Sequence, residues 1–464
     1  MDPVMQHLRA REFSRLDASG HAYLDYTGGG LYAESQIRAH ADRLCAGVFG
    51  NPHSHNPASL ASTHHIEHTR QRILEFFDAD PAEYEVVFTL NASGALKLVG
   101  ESYPFGPGSR YLLSVDNHNS VNGIREFAAA RGATIDYIPL DAELRIRQAE
   151  LERHLAQADP AKPNLFAYPA QSNFSGTKHP LEWVRLARSM GYDVLLDAAA
   201  YVPTSPLSLR ETAPDFVSLS FYKMFGYPTG IGTLIARREA LSRLRRPWFG
   251  GGTVRFVSAQ NRLHLLQPTG EAFEDGTLNY LSIMAVAAGL DFLSEVGMAR
   301  IGAHVMALTG LLLDGLQSLR HSNGAPLVDI YGPRTTRMRG GTVAFNVLTP
   351  NGREVDSKLV ERRANEADIS VRSGCFCNPG AAESAFEYAA VEAYQCFNLI
   401  TPEAFTLQQF STCMNEKPVG AVRASVGIAS NEEDVSRLIE LLGTFVDYSP
   451  APDAGRIMPE FVGQ

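Results

Sequence analysis

Cysteine is scarce in this chain: Cys45, Cys375, Cys377, Cys396 and Cys413 are the only five among 464 residues. An odd count, with two of the five separated by one residue, does not make a disulfide framework and fits a reducing cytosol. Basic charge is outweighed, with 41 Lys and Arg against 51 Asp and Glu for a net charge of −10. Nothing therefore draws the chain as a whole to nucleic acid or to an anionic membrane. Long apolar runs are missing as well. No stretch approaches the ~18 uninterrupted apolar residues of a membrane span, and the polar opening MDPVMQHLRAREFSRL has no secretory apolar core. No period of about 20–50 residues recurs, and no Gly/Ser-rich linker marks loosely tethered modules. The triple glycines Gly28–Gly30 and Gly250–Gly252 lack the GxGxxG spacing of a dinucleotide fingerprint; close backbone approach to a ligand or subunit explains them better. What remains is a soluble, cytoplasmic protein of enzyme size. Its 45% hydrophobic and 20% charged residues are enough to bury a large core.

Seven short apolar runs read as strands: 85–90, 110–116, 133–140, 164–170, 192–200, 216–223 and 230–237. Their nearly unbroken hydrophobicity suits strands covered on both faces. Helical patterns at 93–103, 120–132 and 180–191 lie between several of them, so the expectation is an α/β fold with a mainly parallel seven-stranded sheet between helices. Ligands of such a sheet gather where loops leave the carboxyl ends of the strands. Beyond about residue 280 the pattern changes. Two long helices (280–297 and 299–319), strand-like pieces at 340–348 and 420–428 and a final helix over 431–448 predict a smaller α+β domain. Residues 378–418 show only weak periodicity, and the tail after Pro450 reads as a mobile end.

Four of these strand ends carry chemistry. Lys223 closes the run FVSLSFYK, where partial desolvation would lower its pKa and free the amine for imine formation. An isolated lysine is more often just a surface residue. Asp197, closing VLLD, changes the balance, because a buried carboxylate needs a cationic partner and a pyridinium nitrogen is one. Lysine and aspartate at neighbouring strand ends are what pyridoxal phosphate requires. The turn FTLNASGALK offers amides and the Ser93 hydroxyl to a phosphate at a helix N-terminus. His118 follows another strand, where its imidazole could stack on a planar ring or simply cap a helix. The histidines His53, His55, His64, His65 and His68 crowd one region but have no CxxC companion, and Cys375, Cys377, Cys396 and Cys413 are irregularly spaced, so no metal is expected.

These motifs, with YLDYTGGGLY (23–32), GNPHSHNPAS (50–59), DNHNSVNGIRE (116–126), SFYKMFGYPTGIG (220–232), VRSGCFCNPGA (371–381) and KPVGAVRASVG (417–427), resemble the cysteine desulfurase branch of the class V aminotransferases, fold-type I pyridoxal-phosphate enzymes. Within that branch the likeness is greatest to the desulfurase-like N-terminal part of molybdenum cofactor sulfurases, and it runs over residues 20–445. The resemblance implies a large cofactor-binding domain over 20–298 and a small domain built from 1–19 and 299–464 that carries the Cys377 loop. It makes Lys223 the Schiff-base lysine, Asp197 the partner of the pyridine nitrogen and His118 the stacking residue. Asn173 would lie near the ring's phenolic oxygen and the substrate carboxylate. Ala92, Ser93 and Ser220 would hold the phosphate, Tyr222 would border the cofactor, and Thr253 would reach the phosphate of the neighbouring subunit in a homodimer. Arg423 would grip the substrate carboxylate, a bidentate task suited to guanidinium. Arg372 would join the substrate site or support its loop.

Cys377 would take the sulfur of L-cysteine, or of a close analogue, as a persulfide and release alanine, then pass the sulfur to an acceptor protein or cofactor. Two small apolar fillers are the plain alternative for Cys375 and Cys377. Ala200 and Tyr222 stand where ordinary desulfurases have Gln or His and His, and Ala382 stands where the sulfurase branch often has a third cysteine. The chain ends soon after the desulfurase-like part, so a separate acceptor or a diverged reaction is expected. A carbon–sulfur lyase, transaminase or epimerase that does not use the loop cysteine would fit the same Lys223 core, and an idle sulfur-relay scaffold is a third reading.

Overall fold

In the computed structural model, which describes residues 2–401 and 405–449, the seven apolar runs form one sheet. Its strands are β1 (Tyr84–Thr89), β2 (Arg110–Ser114), β3 (Thr134–Ile138), β4 (Asn164–Pro169), β5 (Tyr192–Asp197), β6 (Phe216–Ser220) and β7 (Gly232–Arg237). The spatial order is β1-β7-β6-β5-β4-β2-β3, with only β7 antiparallel to its neighbours. Every residue of β4 and β6 is buried, so the absence of polar alternation has the cause inferred from sequence: both faces are covered. At the edge, β3 is mostly half-exposed. Because β2, β4, β5 and β6 are parallel, their carboxyl ends open on one side, and the loops around 115–119, 170–175, 197–200 and 220–226 meet there.

A four-stranded antiparallel sheet follows, made of β8 (Val328–Tyr331), β9 (Thr342–Val347), β10 (Arg372–Gly374) and β11 (Ala421–Ser425) in the order β8-β9-β11-β10. The chain's beginning packs on this later part. Ala22–Tyr23 pairs in parallel with Ile369–Ser370, and the buried guanidinium of Arg9 reaches Asp434 at 2.6 Å. Two long helices, Tyr280–Val296 and Met298–Ser318, fall where the 3.6-residue pattern predicts them. Met298–Ser318 has the length and hydropathy of a membrane span, but Ile301, Val305, Leu308, Leu312 and Leu316 are buried, and the helix packs along Glu432–Gly443.

Four local expectations are corrected. The strand carrying Lys223 stops at Ser220, and Lys223 lies on a single helical turn, Phe221–Phe225. That turn ends at Gly226, whose φ of 76° suits glycine, and a Cβ there would collide with the backbone of Leu31 and Tyr32. The single helix read over 120–132 is two, Asn119–Asn122 and Ile124–Ala130, divided at Gly123. The described residues of the weakly periodic 378–418 segment form the helices Pro379–Ala385, Ala390–Leu399 and Leu407–Cys413. The last two bring Cys396 and Cys413 together in a disulfide with Cα atoms 5.7 Å apart. Spacing in sequence could not reveal this, because pairing depends on how two helices meet. The tail read after Pro450 lies outside the described residues.

Candidate active site

At the carboxyl ends of the parallel strands lies a cavity of about 210 Å³. Eight predicted residues line it: Ala92, Ser93, His118, Asn173, Asp197, Ser220, Tyr222 and Lys223. They come from five separate segments, each delivered by a strand end or by the turn after one.

Lys223 has no hydrogen-bond or ion-pair partner among the described residues. Burial pushes its pKa down from the ordinary lysine value; Asp197 pulls it back up, and Arg423 pushes it lower. Asp197, nearly buried at the end of β5, accepts the Ala199 amide at 3.1 Å and the Ser218 hydroxyl at 3.4 Å through Oδ1. Its Oδ2 has no donor among the described residues, so a carboxylate oxygen beside the cavity remains available to a cation. His118 both caps and faces the cavity. Its Nδ1 accepts the Ser120 amide at 3.1 Å, and burial lowers its pKa, so it stands as a neutral ring. At the far end, helix Ala92–Ser102 points its N-terminus at the cavity. The Ala92 amide donates to Ser220 Oγ at 2.8 Å, and the Ser93 and Ser120 hydroxyls meet at 2.6 Å. No acidic side chain lines this end, which suits an anion.

Arg423, on β11, is buried and held on two sides: Nη1 donates to the Asn173 carbonyl at 2.9 Å and Nη2 to Asp25 Oδ1 at 3.1 Å. The Phe376 ring covers its guanidinium at 4.6 Å, and Nε is buried without a partner among the described residues. Arg372 is placed on Asp25 as well, at 2.7 Å, and it lies outside the cavity lining, as do Arg423 and Cys377. Thr253 is also outside the lining. It is buried at the foot of the antiparallel hairpin Val254–Ser258/Leu263–Leu266, where its hydroxyl donates to the Gly250 carbonyl at 2.8 Å.

The Cys377 loop is docked on the same site. Its thiol is exposed and free. Asn173 Nδ2 donates to the Phe376 carbonyl and the Asn119 amide donates to the Cys377 carbonyl, each at 2.7 Å. Phe376 and Cys377 both have φ of 55°, a left-handed conformation costing roughly 1–2 kcal/mol per residue, so the loop keeps this shape only because its surroundings impose it.

A sequence model of the class-V aminotransferases matches residues 22–438. The chain belongs to that family. Molybdenum cofactor sulfurases from Bos taurus, Homo sapiens and Arabidopsis thaliana are 38%, 36% and 35% identical to it over 95%, 94% and 94% of this chain. The match covers 51%, 51% and 58% of those proteins, so the chain spans about half the length of the curated relatives. Among solved structures, the apo cysteine desulfurase of Thermococcus onnurineus is 25% identical, with a TM-score of 0.77 over 95% of this chain and 98% of its own. The Escherichia coli cysteine desulfurase CsdA shares the fold at a TM-score of 0.73 and 21% identity, covering 95% of this chain and 98% of its own.

The cofactor of this class-V aminotransferase is pyridoxal 5'-phosphate. The donor set fits it: an unpaired, depressed lysine, a carboxylate with one free oxygen, a neutral histidine and a helix N-terminus ringed by hydroxyls, all around one cavity. Sequence reasoning quoted the motifs of Asp25, Asp116 and Asn378 without giving these side chains work, and it passed over Gln171, which lines the cavity. Asp25 was legible as a carboxylate in YLDYTGGG, but its arginine partners are more than 340 residues away in sequence. Among the described residues no three His, Cys, Asp or Glu side chains converge on a metal-sized site.

Proposed function

We propose that this enzyme takes sulfur from L-cysteine, or a close analogue, as a persulfide on Cys377, releases alanine, and hands the sulfur to an acceptor protein or cofactor. The observation that supports the proposal is the docking of the Cys377 loop onto Asn119 and onto Asn173, which lines the cavity with Lys223, while the Cys377 thiol is exposed. Pyridoxal phosphate, when bound, supplies an aldehyde for the lysine and an electron sink for the substrate's carbon. Asp197 would hold the ring nitrogen protonated, His118 would cover the ring, and the Ala92–Ser93 turn with Ser220 would bind the phosphate. Arg423 would orient the substrate carboxylate. Lys223, with its lowered pKa, would move the proton at the substrate's α-carbon. Cys377 would attack the substrate sulfur as thiolate: one S–S bond forms, the Cβ–S bond breaks, and its electron pair stays with the carbon, which gains a proton to become alanine.

A homodimer is part of the same reading. The hairpin beside Thr253 exposes Phe256, Leu263 and Leu265, with Trp248 and Phe249 nearby, an apolar surface suited to a second copy of the chain. Thr253 would then serve the phosphate of the neighbouring site.

The test is to incubate purified protein with L-cysteine and assay alanine, pyruvate and protein-bound persulfide together. Equal alanine and persulfide, both lost in Cys377→Ala while the visible cofactor band persists, is the expected result. Pyruvate without persulfide, with turnover surviving in Cys377→Ala, would replace this reading with a carbon–sulfur lyase.

A further inference from the structure

One buried carboxylate has no role in the steps above. Asp116, two residues before His118, is fully buried. Its Oδ1 accepts the Ser172 hydroxyl at 2.7 Å and the Asn378 side-chain amide at 2.7 Å, and its Oδ2 faces His179 Nε2 at 2.9 Å. Asn378 also reaches Asn173 Oδ1 at 3.0 Å. That contact turns the amide of Asn173 so that its nitrogen points at the Phe376 carbonyl. Asp116, Asn378, Asn173 and Phe376 thus form one continuous hydrogen-bonded chain from β2 to the cysteine loop. Ser172, in the next loop, is tied to the same carboxylate, so both the 172–173 segment and the 376–378 segment hang from one anchor.

We infer that Asp116 is a positioning residue for sulfur transfer: through Asn378 and Asn173 it holds Phe376 and Cys377 in their left-handed conformation beside the substrate site. The inference rests on the reading of Cys377 as sulfur acceptor. An amide at position 116 would keep one acceptor oxygen for Ser172 and Asn378 and place an NH2 opposite His179, whereas alanine would keep neither acceptor. The carboxylate offers one oxygen to Ser172 and Asn378 together and the other to His179, so one side chain ties three segments. The anchor is rigid because it sits at a strand end in the core, whereas the segment it holds is a loop with an exposed thiol.

The decisive variants are Asp116→Ala and Asn378→Asp. The second keeps the oxygen that caps helix Pro379–Ala385 at the Ala381 amide, but replaces the donor with a carboxylate facing Asp116. Hydrogen exchange in the cofactor-loaded protein reads the clamp directly. The Asn119 amide, bound to the Cys377 carbonyl, and the amides of 374–379 should exchange at least tenfold faster in both variants. Persulfide formation should fall tenfold or more in kcat, with KM for L-cysteine within twofold of wild type and the visible cofactor band unchanged. Asp116→Asn keeps an acceptor oxygen and should recover most of both losses. Unchanged exchange at Asn119 and 374–379, or a fall that appears in KM with kcat intact, overturns the inference. If Asp116→Ala does not fold, Asn378→Asp carries both measurements. If wild-type protein forms no persulfide from cysteine, the proposed function falls while the exchange arm still decides whether Asp116 holds the loop.

Discussion

Arg423 and Arg372 share one carboxylate: Asp25 Oδ1 lies 3.1 Å from Nη2 of the first, and Asp25 Oδ2 lies 2.7 Å from Nη2 of the second. Two cations on one anion leave a net positive charge beside the cysteine loop, which in the proposed reaction would draw a substrate carboxylate. Arg423 is buried, whereas Arg372 is half-exposed, so only Arg423 depends on Asp25 for its charge to be tolerated.

Replacing Asp25 with Ala should therefore destabilise the fold by about 3–5 kcal/mol, the usual cost of stranding a buried charge. It should also weaken L-cysteine binding at least tenfold, because Arg423 loses the partner that fixes its fork. Urea denaturation and KM are the two measurements. An unchanged urea midpoint would show that the Asn173 carbonyl and the Phe376 ring are sufficient for the guanidinium.

The amine of Lys223 should be neutral at lower pH than an ordinary lysine, since burial depresses its pKa and Arg423 depresses it further against the opposing pull of Asp197. Capture of pyridoxal phosphate by the apo-protein, followed by its visible absorbance, should accordingly show an apparent pKa below 10.5. Removing the cation in Arg423→Gln should move that profile to higher pH, because one of the charges opposing protonation is gone. Lys223→Ala should give no such band at any pH. A profile that shifts to lower pH in Arg423→Gln would contradict the assigned electrostatics.

Much of this was legible from residue order, for a physical reason. Strands buried on both faces carry no alternation, so all seven sheet strands were visible as apolar runs, and ligand-binding side chains had to follow their carboxyl ends. Lys223, Asp197, His118 and Ser93, read from strand ends, and Asn173 and Ser220, added by the family resemblance, line one cavity, whereas Arg423 lies outside its lining. What stayed hidden depends on distance in sequence. Asp25 meets Arg423 across 398 residues and Asp116 meets Asn378 across 262. No local pattern announces such pairs. The Cys396–Cys413 disulfide stayed hidden for a different reason: only 17 residues separate the two, but weak periodicity there gives no sign of how the helices meet.

The hairpin Val254–Ser258/Leu263–Leu266 presents Phe256 and Leu263 with exposures of 60% each, an unusual cost for a surface that stays wet. Phe256→Asp with Leu263→Asp should leave the monomer folded, because neither side chain packs in the core, but should shift the sedimenting species from dimer to monomer. Since Thr253 sits at the foot of this hairpin, cofactor affinity should fall with dimerisation. Unchanged sedimentation in the double variant would remove the hairpin from any interface.

Asp215 offers a check on the core that is independent of the chemistry. It lies at the entrance to β6, is almost fully buried, and accepts the Val194 amide at 2.8 Å, with Arg188 at 3.5 Å. Burial, then repulsion from Asp193, pushes its carboxyl up to about 6 from 3.8. A raised native pKa means that the folded state binds the proton more tightly than the unfolded one. Between pH 3.8 and about 6, therefore, stability from this group is lost as pH rises, and above that the penalty is complete. Asp215→Asn keeps an oxygen for the Val194 amide and removes the ionisation. Measured by urea denaturation, its stability relative to wild type should improve by about 1–3 kcal/mol between pH 4 and pH 7. A relative stability that is flat across that range would show that the carboxyl ionises in the fold as readily as in water.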